Sequence, residues 1–257
     1  MPFLLTLMVV DLVTIWRREL LKFFADTSHV IINLISPLLV IFLVGSGLDE
    51  VVRIPGAEGG YFGFFGPGLI AVAAIGSSMQ VGFSLIRDRE GAMGNILVAP
   101  VSRVAILLGK VLAELTEQGL TFLLALFLFL IVNQAPLVGM LIVLPITGLI
   151  VLGFSSIGIL AATLFYSTKA YNSFLTFVVS PLIFLSGAFF PLKDFPPLLQ
   201  YVGAVNPLTY GVDAVRGAVF GNGTFPLWVD MAILGPFAIL AFGLAWWLFN
   251  RREVKLW

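Results

Sequence analysis

The sequence has no cysteine and a single histidine, His29, among its 257 residues. A chain without cysteine forms no disulfide, no thiolate metal site and no thiol nucleophile. A histidine-based metal site needs further ligands, so His29 is interpreted as an ordinary interfacial side chain. Charge is scarce as well, since charged residues make up 11% of the chain against about a quarter in soluble domains. An aqueous fold would lack the polar surface that it needs.

Motifs of catalysis and nucleotide binding are missing too. A P-loop requires Gly-x-x-x-x-Gly-Lys-Ser/Thr, and the nearest fragment, Gly109-Lys110-Val111, has other neighbours and no hydroxyl for magnesium. The chain has no His-Glu-x-x-His zinc helix and no Gly-x-Ser-x-Gly elbow. We therefore expect a non-catalytic chain without cofactor or metal, so that any ATP and Mg must be held by a partner. The net charge of zero gives no indication of nucleic acid binding.

Apolar residues are abundant and make up 60% of the chain. Apolar runs of about 18 residues or more are typical of membrane spans, and in hydrocarbon such a run must be helical to satisfy its own backbone. The sequence predicts an all-α polytopic membrane protein with six transmembrane helices. These are Val30–Leu48, Phe62–Ile86, Val104–Val132, Leu137–Phe165, Asn172–Phe190 and Val229–Asn250.

The positions of lysine and arginine predict the orientation of the chain. With the N-terminus in the cytoplasm, eleven of these residues lie in inside segments and three in outside segments, as expected for cytoplasmic loops. Both termini are therefore predicted to be cytoplasmic. Residues 4–25 place apolar side chains at helical spacing and are predicted to form an amphipathic interfacial helix. The alternative, a helix that packs on the bundle, fits the same pattern.

The external segment 191–227 is too apolar for a solvated loop. Two short helical stretches broken at Pro196-Pro197 and Asn206-Pro207 suit a re-entrant helical hairpin between spans five and six. Asp213 and Arg216, three residues apart, would share a helix face and could neutralise each other.

Two acids, Glu114 and Glu117, lie near the start of the third span, and intramembrane acids are functional candidates. Two interpretations remain open. The acids couple transport to protons, or they are interfacial groups held by Lys110 and Arg103.

Small and aromatic residues suggest candidate pathway-lining positions. Ser77 and Ser78 in the second span and Ser180 in the fifth allow close helix approach, either for packing alone or beside a pathway between two copies. Phe177 and Phe184 lie within the fifth span, whereas tyrosine and tryptophan lie near span ends. This distribution favours an apolar or amphiphilic cargo over a polysaccharide, unless these phenylalanines only pack against lipid.

Several strings together resemble the permeases of type-2 ABC exporters. They are Arg87-Asp88-Arg89-Glu90-Gly91, Ile96-Leu97-Val98-Ala99-Pro100-Val101-Ser102-Arg103, Ser186-Gly187-Ala188-Phe189-Phe190-Pro191, and Asn206-Pro207-Leu208-Thr209-Tyr210-Gly211-Val212-Asp213-Ala214-Val215-Arg216. The resemblance covers essentially the whole chain and implies a single permease domain over residues 1–257. Its partners would be a separate ATP-binding subunit, a second copy of this chain or a homologous permease, and the lipid bilayer.

The resemblance also implies roles for particular residues. Residues 88–101 would form a cytoplasmic coupling helix docked on the ATPase, and the re-entrant hairpin would act as an outer gate. The coupling residues would be Arg87, Asp88, Arg89, Glu90, Gly91, Ile96, Leu97 and Pro100. The gate residues would be Phe190, Pro191, Asn206, Pro207, Tyr210, Asp213 and Arg216.

The resulting functional hypothesis is a permease that moves an amphiphilic drug or lipid outward by alternating access. The alternatives are a polysaccharide or glycolipid exporter permease of the same family and an ion-coupled secondary transporter. The latter class usually shows inverted repeats and charged residues at mid-span, which this sequence does not display. The absence of cysteine and of an ATPase segment suits a prokaryotic plasma (inner) membrane.

Overall fold

The computed structural model describes residues 2–48, 51–52, 60–90, 102–131 and 137–253. No β-strand occurs in these ranges, so the predicted all-α class is confirmed. The helices are α1 (Pro2–Ala25), α2 (Thr27–Leu48), α3 (Gly60–Ser78), α4 (Gln80–Glu90), α5 (Arg103–Ile131), α6 (Leu137–Leu164), α7 (Thr168–Phe174), α8 (Ser180–Phe184), α9 (Pro197–Val205), α10 (Pro207–Phe220) and α11 (Leu227–Glu253). A π-helical turn, Leu175–Val179, joins α7 to α8, and a 3₁₀ turn covers Leu192–Asp194.

Five helical segments of the described chain are long and apolar enough to cross a membrane. They are Val30–Leu48, Gly60–Arg89, Arg103–Ile131, Leu137–Leu164 and Leu227–Arg251. Each coincides with one of the predicted spans. The second comprises α3 and α4, which meet at a break at Met79. There the Met79 carbonyl accepts a 2.6 Å hydrogen bond from the Tyr171 hydroxyl, while its helical bond from the Phe83 amide is long, at 3.4 Å.

The remaining predicted span begins and ends differently from the expectation. Helical structure runs from Thr168 to Phe184 through the π turn, instead of from Asn172 to Phe190. The predicted end at Phe190 was wrong because Gly187 adopts a left-handed backbone with φ +79°, which an α-helix cannot include. The count of six spans stays a prediction.

Helix α1 packs along α5. A Cβ atom added to Gly109 would lie 2.7 Å from Cγ2 of Ile15, so the absence of a side chain there lets the two helices approach closely. Trp16 Nε1 also donates a 3.1 Å hydrogen bond to Thr116 Oγ1. Packing on the bundle is therefore observed. Apolar side chains such as Leu21 and Phe24 remain exposed on the other side, and the interfacial position of α1 stays a prediction.

The external segment forms the two helices that its prolines predicted, α9 and α10. Asn206 stands between them, where its side-chain Oδ1 accepts from the Leu208 amide at 3.0 Å and its Nδ2 donates to the Leu182 carbonyl at 2.7 Å. Helix α10 packs against α3, α6 and α11 and ends at Gly221, which takes the left-handed conformation that favours glycine at a helix C-terminus. Entry of the hairpin into the outer leaflet stays a prediction.

Candidate functional site

Three helices bring five charged side chains together near the predicted cytoplasmic side. This charged cluster consists of Arg18, Glu19 and Lys22 on α1, Asp88 on α4 and Lys110 on α5. Lys110 is only 3% exposed, and its Nζ lies 2.8 Å from Asp88 Oδ2 and 3.3 Å from Glu19 Oε1. Arg18 and Lys22 each lie 3.1 Å from Asp88 Oδ1. Ion pairs thus tie α1, α4 and α5 together.

The charged cluster overturns the expectation that Lys110 holds the two acids of the third span. Lys110 forms ion pairs with residues of α1 and α4, where its Nζ also donates a 2.6 Å hydrogen bond to Ser84 Oγ, and it forms none with Glu114 or Glu117. Arg103 instead donates to the Asn250 carbonyl at 3.2 Å. The interpretation of Glu114 and Glu117 as acids held by these two cations was therefore wrong. Its error was to consider neighbours on one helix only.

Glu114 and Glu117 line two adjoining cavities. The first, the charged cavity, has a volume of about 410 Å³ and also borders Glu19, Asp88 and Lys110. The second, the polar cavity, has a volume of about 220 Å³ and lies among α2, α3 and α5. Glu114 is 5% exposed, and its Oε1 has no hydrogen-bond partner within the described part of the chain.

The candidate pathway residues separate into two places. The Ser77 hydroxyl lines the polar cavity, interacts with the Glu114 carboxylate and donates to Gln118 Oε1 at 2.9 Å. Ser78, by contrast, is fully buried and donates to the Ala74 carbonyl of its own helix.

Phe177 and Phe184 lie elsewhere, on the surface of the helical segment that runs from Thr168 to Phe184, and are 79% and 60% exposed. Ser180 lies between them and donates to the Leu175 carbonyl at 3.4 Å, across the π turn. Of the candidate pathway residues, only Ser77 therefore lines a cavity together with Glu114 and Glu117.

The predicted coupling residues are described in part. Gly91, Ile96, Leu97 and Pro100 lie outside the described residues, as does the side chain of Glu90. Arg87 is exposed, with its guanidinium carbon 5.1 Å from the centre of the Phe83 ring.

The two residues after Arg87 face the bundle. Asp88 is buried in the charged cluster, and Arg89 donates a 2.6 Å hydrogen bond to the Ala162 carbonyl. Arg87 is thus the described coupling candidate whose charge is most accessible to a partner. The coupling role of all these residues stays a prediction.

At the end that is predicted to be external, Arg216 and Asp213 do not form the predicted ion pair. Arg216 is 6% exposed and donates to the carbonyls of Phe64 and Gly187 at 3.3 and 3.1 Å, with its guanidinium 3.7 Å from the Phe64 ring centre. Burial lowers the pKa of Arg216 to about 10, and the attraction of Asp213 opposes this change. The guanidinium therefore stays protonated at neutral pH.

Asp213 instead holds the loop that precedes α11. Its two carboxylate oxygens accept hydrogen bonds from the backbone amides of Thr224 and Phe225, each at 2.8 Å. The three-residue spacing placed the two charges on one face of the helix. It could not reveal their backbone partners, which come from other segments. Arg216 and Asp213 thus fix α10 to its surroundings independently.

The other predicted gate residues lie at different places around Arg216, and their gating role stays a prediction. Pro191 lines a cavity of about 320 Å³ together with Asp213 and Arg216, whereas Phe190 is 57% exposed. Pro207 starts α10 after the buried Asn206. The Tyr210 hydroxyl donates to the Ala204 carbonyl at 2.8 Å.

Three polar residues with notable surroundings were not predicted from the sequence: the partly buried Glu19 and the buried Tyr171 and Asp230. Asp230 is 1% exposed in the first turn of α11, and neither of its oxygens has a hydrogen-bond partner among the described residues. The available signal was an acid at the start of an otherwise apolar run. Tyr171 gave no comparable signal because its partner comes from another helix. The same holds for the contact of Glu19 with Lys110.

Comparison with known proteins gives relatives along the whole chain. The chain is 27% identical over 246 residues to Nodulation protein J of Rhizobium meliloti, covering 93% of each protein. It is 26% identical over 248 residues to the inner membrane transport permease YadH of Escherichia coli, covering 94% of this chain and 95% of that one. The transport permease ycf38 of Cyanophora paradoxa is 28% identical over 211 residues, or 80% of this chain and 73% of its own.

The family match agrees with the helical architecture and with the strings that carried the resemblance. Residues 10–220 match the ABC-2 type transporter family, a range that begins in α1 and ends at the last residue of α10. This range includes four of the five membrane-length helices and both external helices. The chain is therefore an integral membrane protein that belongs to the ABC-2 type transporter family.

Proposed function

We propose that this chain is the membrane-spanning subunit of an ATP-driven exporter in a prokaryotic plasma membrane. It moves an amphiphilic drug or lipid outward by alternating access, while ATP and Mg are bound by a separate subunit. The observation that carries the proposal is the family match over residues 10–220. The name of the relative YadH, an inner membrane transport permease, supports the transport part of the proposal.

A second copy of the chain, or a homologous permease, completes the membrane part in this proposal. Helix α2 supports a second membrane subunit, because only 11% of the residues in its apolar stretch within Val30–Leu48 are buried inside one chain. Its large exposed apolar side chains are Ile31, Ile32, Ile35, Leu39, Val40, Phe42, Leu43 and Leu48. A helix with so little contact to its own bundle must be covered by lipid or by another subunit. Part of this face is assigned to the second permease and the rest to lipid.

The ATP-binding subunit docks at the cytoplasmic end of α4 in this proposal. Arg87 is exposed there, four positions before Gly91, and an exposed guanidinium is well suited to bind a carboxylate on a partner. We expect Arg87→Glu to weaken copurification of a P-loop subunit and to lower ATP turnover of the complex about tenfold, since reversed charge at an interface costs about 1.4 kcal/mol or more. Affinity purification from native membranes, followed by an ATPase assay, measures both.

Arg251→Glu is the matched control for this experiment. Arg251 is also exposed and lies at the cytoplasmic end of α11 in the predicted orientation, with its guanidinium 4.3 Å from the Trp247 ring centre. The same charge reversal there should leave copurification unchanged. Equal copurification of both variants with the wild type would remove Arg87 from the docking surface. Wild-type chain that purifies without any P-loop subunit would overturn the proposed function itself.

The amphiphilic cargo is supported by the groove along α7 and the π turn. Phe177 lies there beside Lys169, Asn172, Ser173 and Thr176, so that an aromatic ring adjoins polar groups. We expect Phe177→Ala to raise the half-saturating concentration of exported amphiphiles about three- to tenfold, because roughly 1 kcal/mol of apolar contact is lost. Efflux from inverted membrane vesicles across a panel of amphiphiles measures this change.

Phe127→Ala provides the control for the cargo experiment. Phe127 is 64% exposed on α5 and lies outside the groove. Unchanged transport in both variants would contradict a role of Phe177 in cargo binding. Transport of a polysaccharide in place of the amphiphiles would favour the alternative exporter type.

A further inference from the structure

The charged cavity and the polar cavity meet at a pair of acids. Both are lined by Glu114 and Glu117, together with Phe23 and Gln80. The acids are one helical turn apart on α5, so their side chains are neighbours on one helix face. Glu114 is 95% buried and lines both cavities, and its Oε1 has no hydrogen-bond partner among the described residues.

The neighbouring cations do not compensate these acids. Lys110 pairs with Glu19 and Asp88, and so do Arg18 and Lys22. Besides Lys22 and Lys110, the charged cavity is lined by one more basic side chain, Arg87, which is exposed and lies over the Phe83 ring. Three cations thus share two acids within the charged cluster. None of the ion pairs within the described chain includes Glu114 or Glu117.

Repulsion makes this arrangement unfavourable without a counter-charge. The carboxylates of Glu114 and Glu19 both repel that of Glu117. Removal of unpaired carboxylates from water is strongly unfavourable, and like charges in one site increase the penalty. A cation that enters replaces the missing partner and lowers the free energy of the site in its ionised form.

The lining favours an organic cation over a metal ion. The described residues hold no group of three or more acidic or histidine side chains that is suited to a metal. The Phe23 ring, 4% exposed, borders both cavities, and aromatic rings attract ammonium groups through their faces. The polar cavity adds the apolar side chains of Ile32, Leu34 and Pro37. A cation with an apolar body fits these two kinds of surface.

We propose that Glu114, Glu117 and Phe23 form a binding site for the ammonium group of an amphiphilic organic cation. The apolar part of the ligand lies in the polar cavity against α2, and the ammonium group lies between the two carboxylates. The inference rests on the proposed function because it assigns a positive charge to the exported amphiphile. Drug cations and zwitterionic lipids both carry such a group, so the experiment separates the two sources.

The test uses the full chain, purified in detergent together with its ATP-binding subunit. Ethidium, a permanently charged quaternary ammonium probe, is titrated and its fluorescence anisotropy is recorded. We expect saturable binding to the wild type and a rise of about tenfold or more in the dissociation constant for Glu114→Gln and for Glu117→Gln. Asp194→Asn removes an exposed external acid and should bind as the wild type does.

A lipid competition distinguishes the source of the ammonium group. Displacement of ethidium by short-chain phosphatidylcholine, but not by short-chain phosphatidylglycerol, supports the site and indicates that it accepts lipid headgroups. Saturable ethidium binding that resists both lipids supports the site and assigns it to soluble cations. Displacement by both lipids alike would overturn recognition of an ammonium group.

Two further results bear on the inference separately from the proposed function. The cation site is overturned if the wild type does not bind ethidium. It is also overturned if both glutamine variants bind ethidium as tightly as the wild type does. If the ATP-binding subunit still copurifies in that case, the exporter assignment stands without it. Should Glu114→Gln fail to fold, the half-buried Glu117 provides the decisive variant, because its amide substitution alters fewer buried contacts.

Discussion

Replacement of Lys110 by methionine is expected to lower the free energy of unfolding by about 3–5 kcal/mol. Methionine retains most of the side-chain volume but removes the cation that lies 2.8 Å from Asp88 and 3.3 Å from Glu19. Both acids are nearly buried, with exposed side-chain fractions of 8% and 11%. Their charges would then depend on Arg18 and Lys22 alone. Denaturation in mixed micelles, followed by tryptophan fluorescence, measures the loss.

Two companion variants make this expectation specific. Lys22→Met removes a cation whose side chain is 40% exposed, and solvent screening limits its effect to about 1 kcal/mol or less. Combining Lys110→Met with Asp88→Asn removes the charge that lost its partner and should recover part of the stability. A Lys110→Met protein as stable as the wild type would show that the charged cluster does not hold α1, α4 and α5 together.

The second large effect is expected at Gly82, where α4 crosses α6. A Cβ atom at this position would lie 2.2 Å from the Gly158 carbonyl oxygen and 2.4 Å from the Tyr171 hydroxyl oxygen. Relief of the first contact requires movement of one backbone against another, since a carbonyl cannot rotate away as a side chain can. We therefore expect Gly82→Ala to destabilise the protein by about 3 kcal/mol or more, measured in the same way.

Gly243→Ala is the control for the Gly82→Ala variant. Gly243 lies inside α11 with no atom within 4 Å of an added Cβ, so alanine should be neutral or stabilise the helix by up to about 1 kcal/mol. Tyr171→Phe in the Gly82→Ala background should restore only part of the stability, because the contact with Gly158 remains. Equal stability of the Gly82→Ala and Gly243→Ala proteins would contradict the close approach of α4 and α6.

Composition and local pattern determined much of the fold before any contact was known. The apolar runs predicted five helices of membrane length at their observed positions, because only a helix satisfies its own backbone in hydrocarbon. The prolines at 196–197 and 207 predicted the external helices α9 and α10, since a proline ring suits the first turn of a helix. The strings at 87–103 and 186–216 pointed to the family that the match over residues 10–220 then showed.

The tertiary structure decided which polar side chains meet. Lys110 was expected to pair with Glu114 on its own helix, but it binds Glu19 and Asp88 from two other helices. Asp213 and Arg216 likewise bind backbone groups of other segments instead of each other. The physical reason is geometric. Sequence spacing reports the neighbours on one helix face, whereas a pair between helices depends on their rotation and crossing distance, which the packing of the whole bundle sets.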